Sequence, residues 1–131
     1  MKIGFVCGSW DLLHPGHLHL LGECKSRCTL LIVGLHVDPS VERKGKSKPI
    51  QTVFERFLQL KACRDVDQVV PYETEKDLTN ILTTYNIEVR FLGSDYEDRQ
   101  DEITGKDLVP IEYIPRLHSY SSSELKERIK K

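Results

Sequence analysis

Apolar residues are concentrated in five short runs, and the longer segments between the runs space their apolar residues as helices do. The runs are rich in β-branched residues, which favour strands. They occupy residues 3–7, 30–35, 68–70, 89–92 and 111–114. Strands that alternate with helices form a parallel sheet covered by helices. The pattern therefore predicts an α/β domain with a mostly parallel five-stranded sheet.

Helix starts are marked by hydroxyl residues that stand three positions before a carboxylate, which is the spacing of a capping box. The pairs are Thr52 with Glu55, Thr74 with Asp77, and Ser121 with Glu124. The helix after Thr52 is predicted to bury the side chains of Val53, Phe54, Phe57, Leu58 and Leu60. Residues 37–51 and 94–108 show no clear period. Long loops in a small α/β domain are candidate functional elements.

Length and composition limit the classes of protein that the chain can represent. At 131 residues it fits one domain, and its 39% apolar and 30% charged residues are ordinary for a soluble protein. A net charge of −1 gives no reason to expect nucleic acid as a partner. The first apolar run is too short for a signal peptide or a membrane span, so a cytoplasmic protein without membrane contact is expected. The four cysteines are expected to be reduced, mostly buried thiols.

The stretch "GSWDLLHPGHLHLL", residues 8–21, follows the first predicted strand and leads into a helix. Proline is favoured at the first helical position, so Pro15 makes His14 the N-cap and places His17 one turn further in. Both imidazoles then lie at the positive end of a helix, where free backbone N–H groups and the helix dipole favour anions. Gly16 leaves room for a phosphate to approach closely. The stretch predicts a phosphate site.

Zinc binding and simple helix capping would also place histidines in such a stretch. Three histidines close together suggest zinc, but His19 falls on a different side of the helix from His17, and Asp11 is the only carboxylate at a suitable offset. A protein-held metal is therefore not expected. That His14 and His17 only cap or fill the helix end stays open on the residues alone. His36 ends the second strand at the same sheet edge, where it either lines the site or simply finishes the strand.

The run "GSWDLLHPGH" resembles the signature of the nucleotidyltransferase superfamily that carries an HxGH motif on a Rossmann-like domain. Four further stretches stand at the spacings of its cytidylyltransferase branch: "RKGKSKP", "ERFLQL", "LGSDYED" and "PRLHSYSSSELKERI". Over nearly the whole chain the sequence is similar to bacterial glycerol-3-phosphate cytidylyltransferases. The resemblance implies one Rossmann-like three-layer domain, residues 1–131, and a homodimer.

The resemblance also implies roles for individual residues. The residues implied in catalysis are His14, His17, Lys44, Lys46 and Arg116. Lys48 is an alternative, because the basic loop "RKGKSKP", residues 43–49, is one residue longer than in the family. Nucleotide contacts are implied for Gly8, Ser9, Trp10, Asp11, Gly16, Arg116, Tyr120, Ser121 and Ser122. Ser9 is expected to donate to a phosphate and Asp11 to order the turn. Contacts to the second substrate are implied for Lys46, Asp95, Tyr96 and Glu97.

The implied reaction joins a nucleoside monophosphate from a nucleoside triphosphate, CTP first, to a small phosphorylated alcohol such as glycerol 3-phosphate and releases pyrophosphate. Mg²⁺ is expected to arrive with the triphosphate. Because the acceptor's phosphate oxygen is already anionic, in-line displacement needs no activated serine or cysteine. Related branches use ATP with heptose phosphate, flavin mononucleotide or phosphopantetheine.

One segment departs from the glycerol-phosphate family. Residues 117–120 replace the family's Thr-Glu-Gly-Ile, which lies near the nucleotide base. The choice between CTP and ATP therefore stays open, and so does a nucleotide-binding sensor that has lost catalysis.

Overall fold

A computed structural model describes residues 1–116 and 121–130. The strands are β1 (Ile3–Gly8), β2 (Leu30–His36), β3 (Gln68–Tyr72), β4 (Val89–Gly93) and β5 (Ile111–Ile114). The helices are α1 (Pro15–Ser26), α2 (Val53–Lys61), α3 (Glu75–Thr84) and α4 (Ser122–Lys130). Two short 3₁₀ helices, Ser94–Asp98 and Gln100–Glu102, lie between β4 and β5. No helix in the described ranges is long and apolar enough to cross a bilayer.

The five strands form one sheet in the order β3-β2-β1-β4-β5, and every neighbouring pair is parallel. The predicted fold class is thus confirmed, and each predicted strand is present. The third strand extends two residues beyond the predicted run, through Pro71. Proline is tolerated there because β3 is an edge strand and needs no further ladder bond on its outer side.

The sheet separates two hydrophobic clusters. Leu21 of α1 and Leu60 of α2 pack against one face. Leu78 and Ile81 of α3 pack against the other. The strands β1, β2 and β3 follow one another toward one edge of the sheet, and the chain then returns to the other side of β1 to form β4 and β5. A crevice therefore opens between β1 and β4, at the carboxyl ends of these strands. In open α/β sheets this crevice is where ligands bind.

The predicted helix starts are present. Thr52 and Thr74 are N-caps with complete capping boxes, and the hydroxyl of Ser121 accepts the backbone N–H of Glu124 at 3.0 Å. Each such cap contributes about 1 kcal/mol.

The predicted buried face of α2 is partly wrong. Phe54 and Leu58 are 68% and 51% exposed, whereas Arg56 is 2% exposed. The guanidinium replaces apolar contacts with hydrogen bonds to backbone carbonyls, so the helix turns a polar residue toward the sheet.

Candidate functional site

His14 and His17 build the start of α1. His14 is the N-cap, and its Nδ1 accepts the backbone N–H of Gly16 at 3.0 Å. In return, Nδ1 of His17 accepts the backbone N–H of His14 at 3.1 Å. The two rings lie 3.9 Å apart between centroids. The pair therefore works as a capping box made of two imidazoles, and the predicted N-cap position of His14 is confirmed.

The capping bonds also fix the tautomers of the two imidazoles. Because Nδ1 of each ring accepts a backbone N–H, the proton of the neutral ring resides on Nε2. Each ring is therefore an Nε2–H donor, and both stand beside the positive end of α1. Fixed donors at a helix N-terminus suit a phosphate oxygen. One arrangement thus supports both the capping and the anion-binding interpretation.

The turn between β1 and α1 is conformationally unusual. Trp10 and Leu12 have φ values of 55° and 51°, in the left-handed region that favours glycine. The turn is held by the indole N–H of Trp10, which donates to the carbonyl of Gly34 at 3.0 Å, and by the N–H of Leu12, which donates to Oε1 of Gln51 at 2.7 Å. Strained residues of this kind concentrate at ligand sites.

Asp11 fastens the turn to the segment that follows the basic loop. Its two carboxylate oxygens accept the backbone N–H groups of Ile50 and Gln51 at 2.8 and 2.9 Å. Asp11 is 8% exposed, so these charge-assisted bonds are protected from water. Asp11 therefore joins the turn after β1 to the segment that follows the basic loop.

The buried side chain of Arg56 connects several parts of the site. Nη1 donates to the carbonyls of Ser9 and His36 at 3.0 and 2.8 Å, and Nη2 donates to the carbonyl of Val37 at 2.7 Å. Nε donates to the carbonyls at the start of α2. Burial lowers the pKa of Arg56 from its ordinary value. This one side chain joins the turn after β1, the end of β2 and α2. The sequence showed it only within "ERFLQL", without a role.

A cavity of about 490 Å³ opens at the crevice beside the carboxyl end of β1. Ten of the residues predicted for the site line this cavity: Gly8, Ser9, His14, Gly16, His17, Lys46, Asp95, Tyr96, Arg116 and Ser121. The fold brings them together from five separate parts of the chain. We call Ser9, His14, Gly16 and His17 the phosphate edge.

The remaining predicted residues take different positions. Trp10 and Asp11 are buried and act on the turn itself, while Lys44 and Glu97 are exposed and are not part of the cavity wall. Tyr120 lies outside the described residues, and Ser122 is described only as the first residue of α4. Their predicted contacts stay predictions.

The basic loop is anchored by Arg43, a residue to which the sequence assigned no role. Arg43 pairs through Nε with Oε1 of Glu75 at 2.6 Å, and its Nη2 donates to the carbonyl of Glu102 at 2.6 Å. Arg43 thereby ties the loop to α3 and to the second 3₁₀ helix. Lys46 projects from the same loop and lines the cavity, whereas Lys44 and Lys48 do not.

Besides Lys46, the predicted acceptor residues lie in the first 3₁₀ helix. Asp95 pairs with Nη2 of Arg99 at 3.1 Å, and the guanidinium of Arg99 lies 4.7 Å from the centre of the Tyr96 ring. Both Asp95 and Tyr96 line the cavity. The "LGSDYED" stretch thus forms one wall.

A second region of the cavity wall comes from the face of the sheet that α3 covers. We call this region the inner arm. Its residues are Cys7, His36, Tyr72, Leu78, Arg90 and Ile103. The rings of His36 and Tyr72 stack at 4.6 Å, and Nη2 of Arg90 approaches the sulfur of Cys7 at 3.8 Å. Burial lowers the pKa of His36 and raises that of Tyr72. Of these residues, only His36 is indicated as a site residue by the sequence.

The described residues contain no disulfide and no cluster of side chains suited to a metal ion. All four cysteines are free thiols, of which Cys24 is buried and the others are half-buried. Burial raises the pKa of Cys24 to about 12, so this thiol stays protonated. Within residues 1–116 and 121–130, no group of three or more histidine, cysteine, aspartate or glutamate side chains is placed to hold a metal ion.

The sheet is Rossmann-like, and imidazole donors, a helix N-terminus and cationic side chains lie at its crevice. Residues 5–128 match the cytidylyltransferase-like family, and the chain belongs to that family.

Curated relatives are longer than this chain. Bifunctional protein HldE of Caulobacter sp. (strain K31) is 39% identical over 110 residues, which are 83% of this chain and 22% of that protein. Bifunctional protein HldE of Campylobacter jejuni is 35% identical over 98% of this chain and 28% of its own length. The chain thus spans between a fifth and a third of these relatives.

Solved structures share the fold. A lipopolysaccharide core biosynthesis protein from Thermoplasma volcanium is 25% identical with a TM-score of 0.69, over 92% of this chain and 99% of that one. Pantothenate synthetase from Thermus thermophilus has a TM-score of 0.62 at 14% identity, over 99% of this chain and 64% of that one, and is similar in fold alone.

Proposed function

We propose that this domain transfers a nucleoside monophosphate from a nucleoside triphosphate to the phosphate of a small phosphorylated acceptor and releases pyrophosphate. The observation that carries the proposal is the pair of Nε2–H donors that His14 and His17 hold at the start of α1. The cavity that contains them measures about 490 Å³, which lies within the usual range of small-molecule sites.

The chemistry follows from the charges of the substrates. A phosphate oxygen of the acceptor attacks the α-phosphorus of the triphosphate, the new P–O bond forms, and the bond to the β-phosphate oxygen breaks. Pyrophosphate leaves with the electron pair. The nucleophile is already anionic, so the protein only has to align two polyanions and stabilise the charge that develops between them.

The residues of the site suit that task. Nε2–H groups of His14 and His17 would donate to the phosphates, with backbone N–H groups of α1 beside them. Lys46 and Arg116, which line the same cavity, would add positive charge on the side of the leaving pyrophosphate. The proposed roles need no covalent link between enzyme and nucleotide.

Mg²⁺ is proposed to arrive bound to the triphosphate. Its chemistry there is to neutralise the phosphate oxygens. The described residues fit this mode, because they supply cations and N–H donors around the phosphates instead of a carboxylate cage.

CTP and glycerol 3-phosphate are the first substrate pair to test, because the motifs are similar to those of glycerol-3-phosphate cytidylyltransferases. ATP with a sugar phosphate is the second. It is the pair that related branches of the superfamily use, with heptose phosphate as the sugar phosphate.

Pyrophosphate release with Mg²⁺ across a grid of substrates tests the proposal. The donors are CTP, ATP, GTP and UTP. The acceptors are glycerol 3-phosphate, ribitol 5-phosphate, heptose 1-phosphate, phosphocholine, phosphoethanolamine, flavin mononucleotide and phosphopantetheine. Release that requires one acceptor supports nucleotidyl transfer and identifies the pair. Thermal stabilisation by triphosphates without release from any pair would instead identify a sensor.

A homodimer is also proposed. Ile50, Phe54 and Leu58 leave apolar side chains more than half exposed around the start of α2, and a second copy could cover them. Light scattering measures the mass in solution, and a monomer at all concentrations would contradict this proposal.

A further inference from the structure

The basic loop is attached to the rest of the fold at both of its ends. After its last residue, the backbone N–H groups of Ile50 and Gln51 donate to the buried carboxylate of Asp11. At its first residue, the guanidinium of Arg43 contacts two other elements. Between these attachments the loop carries three lysines. The two attachments therefore limit where the positive charges of the loop can stand.

The attachment at Arg43 is made of short, partly buried contacts. Nε of Arg43 lies 2.6 Å from Oε1 of Glu75, the first residue of α3, and Nη2 donates to the carbonyl of Glu102 at 2.6 Å. The two paired side chains are 29% and 21% exposed, so water and salt screen the pair less than they screen a surface ion pair. Glu42 adds a further contact, because its Oε1 accepts the backbone N–H of Glu75 at 3.1 Å.

A tight turn connects this attachment to Lys46. The backbone N–H of Lys46 donates to the carbonyl of Arg43 at 3.4 Å, which closes a turn over residues 43–46. Gly45 is the third residue of the turn, and its φ of 82° is the value that a type II turn requires at this position. The first and last residues of such a turn lie close together at its base. Fixing Arg43 therefore also fixes the backbone at Lys46, whereas Lys44 lies at the corner.

The lining of the cavity agrees with this turn. Arg43 and Lys46 both line the cavity, and Lys44, at the corner of the turn, does not. The side chain of Lys46 is exposed. Its place at the cavity therefore depends on the backbone of the loop and not on close packing of the side chain itself.

Glu75 also lines the cavity, although a carboxylate there does not favour anions. Its negative charge repels the phosphates that are proposed to bind in the same cavity. Anion binding alone thus gives no reason for a carboxylate at this position. The ion pair with Arg43 gives one, because it attaches the loop that carries Lys46.

We propose that Arg43 is a positioning residue: its contacts with Glu75 and with the carbonyl of Glu102 hold the loop so that Lys46 stands at the cavity. Arg43 acts through Lys46 and does not itself bind the substrate. This inference rests on the proposed function, which supplies the triphosphate as the ligand of Lys46.

A double-mutant cycle tests whether Arg43 acts through Lys46. The measured quantity is the Kd of the α,β-methylene analogue of CTP or ATP with Mg²⁺, determined by titration calorimetry on the whole protein. Lys46→Ala and Arg43→Met are each expected to raise this Kd about tenfold, as for one lost charge-assisted contact. Both changes remove the same contact, so the double variant is expected to bind no more weakly than Lys46→Ala alone.

Two results of the cycle would overturn the inference. Additive losses, about a hundredfold in the double variant, would show that Arg43 contacts the triphosphate independently of Lys46. An unchanged Kd in a folded Arg43→Met variant would show that the attachment has no influence on binding. Arg43→Lys keeps the charge and can still pair with Glu75, so it is expected to recover part of the affinity that Arg43→Met loses.

Glu75 provides a second test, in which the sign of the effect decides. Glu75→Ala removes a negative charge from the cavity wall, which by itself tightens the binding of a triphosphate. It also releases Arg43, so the inference predicts a Kd about fivefold higher. Glu102→Ala is the matched control, because it removes a carboxylate from the same wall and leaves the carbonyl that Arg43 binds. Its Kd is expected to be unchanged or lower. A lower Kd in Glu75→Ala as well would overturn the inference.

Turnover separates the inference from the proposed function. If the wild type binds the analogue and no substrate pair releases pyrophosphate, the proposed function fails, and the cycle still decides the role of Arg43. If the wild type does not bind the analogue, both fail. Unfolding midpoints show which variants are folded, and Glu75→Ala decides if Arg43→Met does not fold.

Discussion

The phosphate edge and the inner arm share one cavity and differ in how the chain builds them. All four residues of the phosphate edge fall between Ser9 and His17, and local capping bonds fix the two rings. The inner arm takes its residues from β1, β2, β3, α3, β4 and the segment after the 3₁₀ helices. One region is a local motif, whereas the other exists only when the whole sheet is assembled.

This difference separates what the two regions contribute. A local turn and a helix N-terminus can bind the phosphates of many substrates, so the phosphate edge suits the step that all family reactions share. Each residue of the inner arm comes from a different element of the fold. One of these residues can therefore be substituted without changing the residues of the phosphate edge. Under the proposed function, the chemistry of transfer belongs to the phosphate edge.

The largest expected effect comes from shortening one donor of the phosphate edge. His17→Asn places a side-chain oxygen near the position of Nδ1, which keeps the capping bond to the N–H of His14, but it does not reach as far as Nε2. Removing one such donor typically lowers kcat about 100- to 1,000-fold. Steady-state turnover with the productive pair measures the loss, and circular dichroism checks that α1 is intact. Near-normal turnover would show that the imidazole serves only as a cap.

The second prediction concerns Arg56, which hydrogen-bonds to a residue of the phosphate edge and to a residue of the inner arm. Arg56→Met removes a guanidinium that donates to carbonyls at the turn, at the end of β2 and at the start of α2. Leaving these carbonyls unpaired is expected to lower the free energy of unfolding by about 3 kcal/mol. Denaturant unfolding measures it. The exposed Lys76→Met is the control and is expected to change stability by less than about 0.5 kcal/mol. Equal stability of the two variants would contradict the role of Arg56.

The third prediction compares two lysines of the basic loop, and its expected effect is smaller. Lys46 lines the cavity and Lys44 does not, although the family resemblance implies both in catalysis. Lys46→Ala is therefore expected to reduce kcat/KM for the triphosphate more than Lys44→Ala does, by about tenfold for a contact worth about 1.4 kcal/mol. Parallel measurements at two salt concentrations show whether the difference is electrostatic. The reverse order would mean that the loop changes conformation when substrate binds.

The smallest effect concerns the pH dependence of the inner arm. Burial lowers the pKa of His36 below its ordinary value of 6.5, so the unfolded chain binds a proton more readily than the folded one. The stability that His36 confers is then complete above pH 6.5 and declines as the pH falls below it. Unfolding of the wild type and of His36→Gln between pH 5 and 8 measures this decline as a difference. Parallel curves would show that the pKa of His36 is the same in the folded and the unfolded chain.

The phosphate edge and the sheet could be predicted because their signals are local. Strand runs, capping pairs and Pro15 after His14 each depend on residues within a few positions. The inner arm could not be predicted, because Arg90 and Tyr72 are unremarkable in a strand until the sheet order brings them next to Cys7. The predicted buried face of α2 was partly wrong for the same reason, because the groups that bury Arg56 are distant in the sequence. An arginine within an apolar helix pattern is expected in solvent, and only the carbonyls of Ser9, His36 and Val37 explain its burial.

The most direct test of the central claim follows a triphosphate radiolabelled at its α-phosphorus. With Mg²⁺ and the acceptor identified by the substrate grid, the label is expected to move into a nucleoside diphosphate linked to the acceptor. One pyrophosphate should be released for each product molecule, and His17→Asn should suppress both. Label that stays in the triphosphate with every acceptor, or that becomes covalently attached to the protein, would contradict single-step nucleotidyl transfer at the phosphate edge.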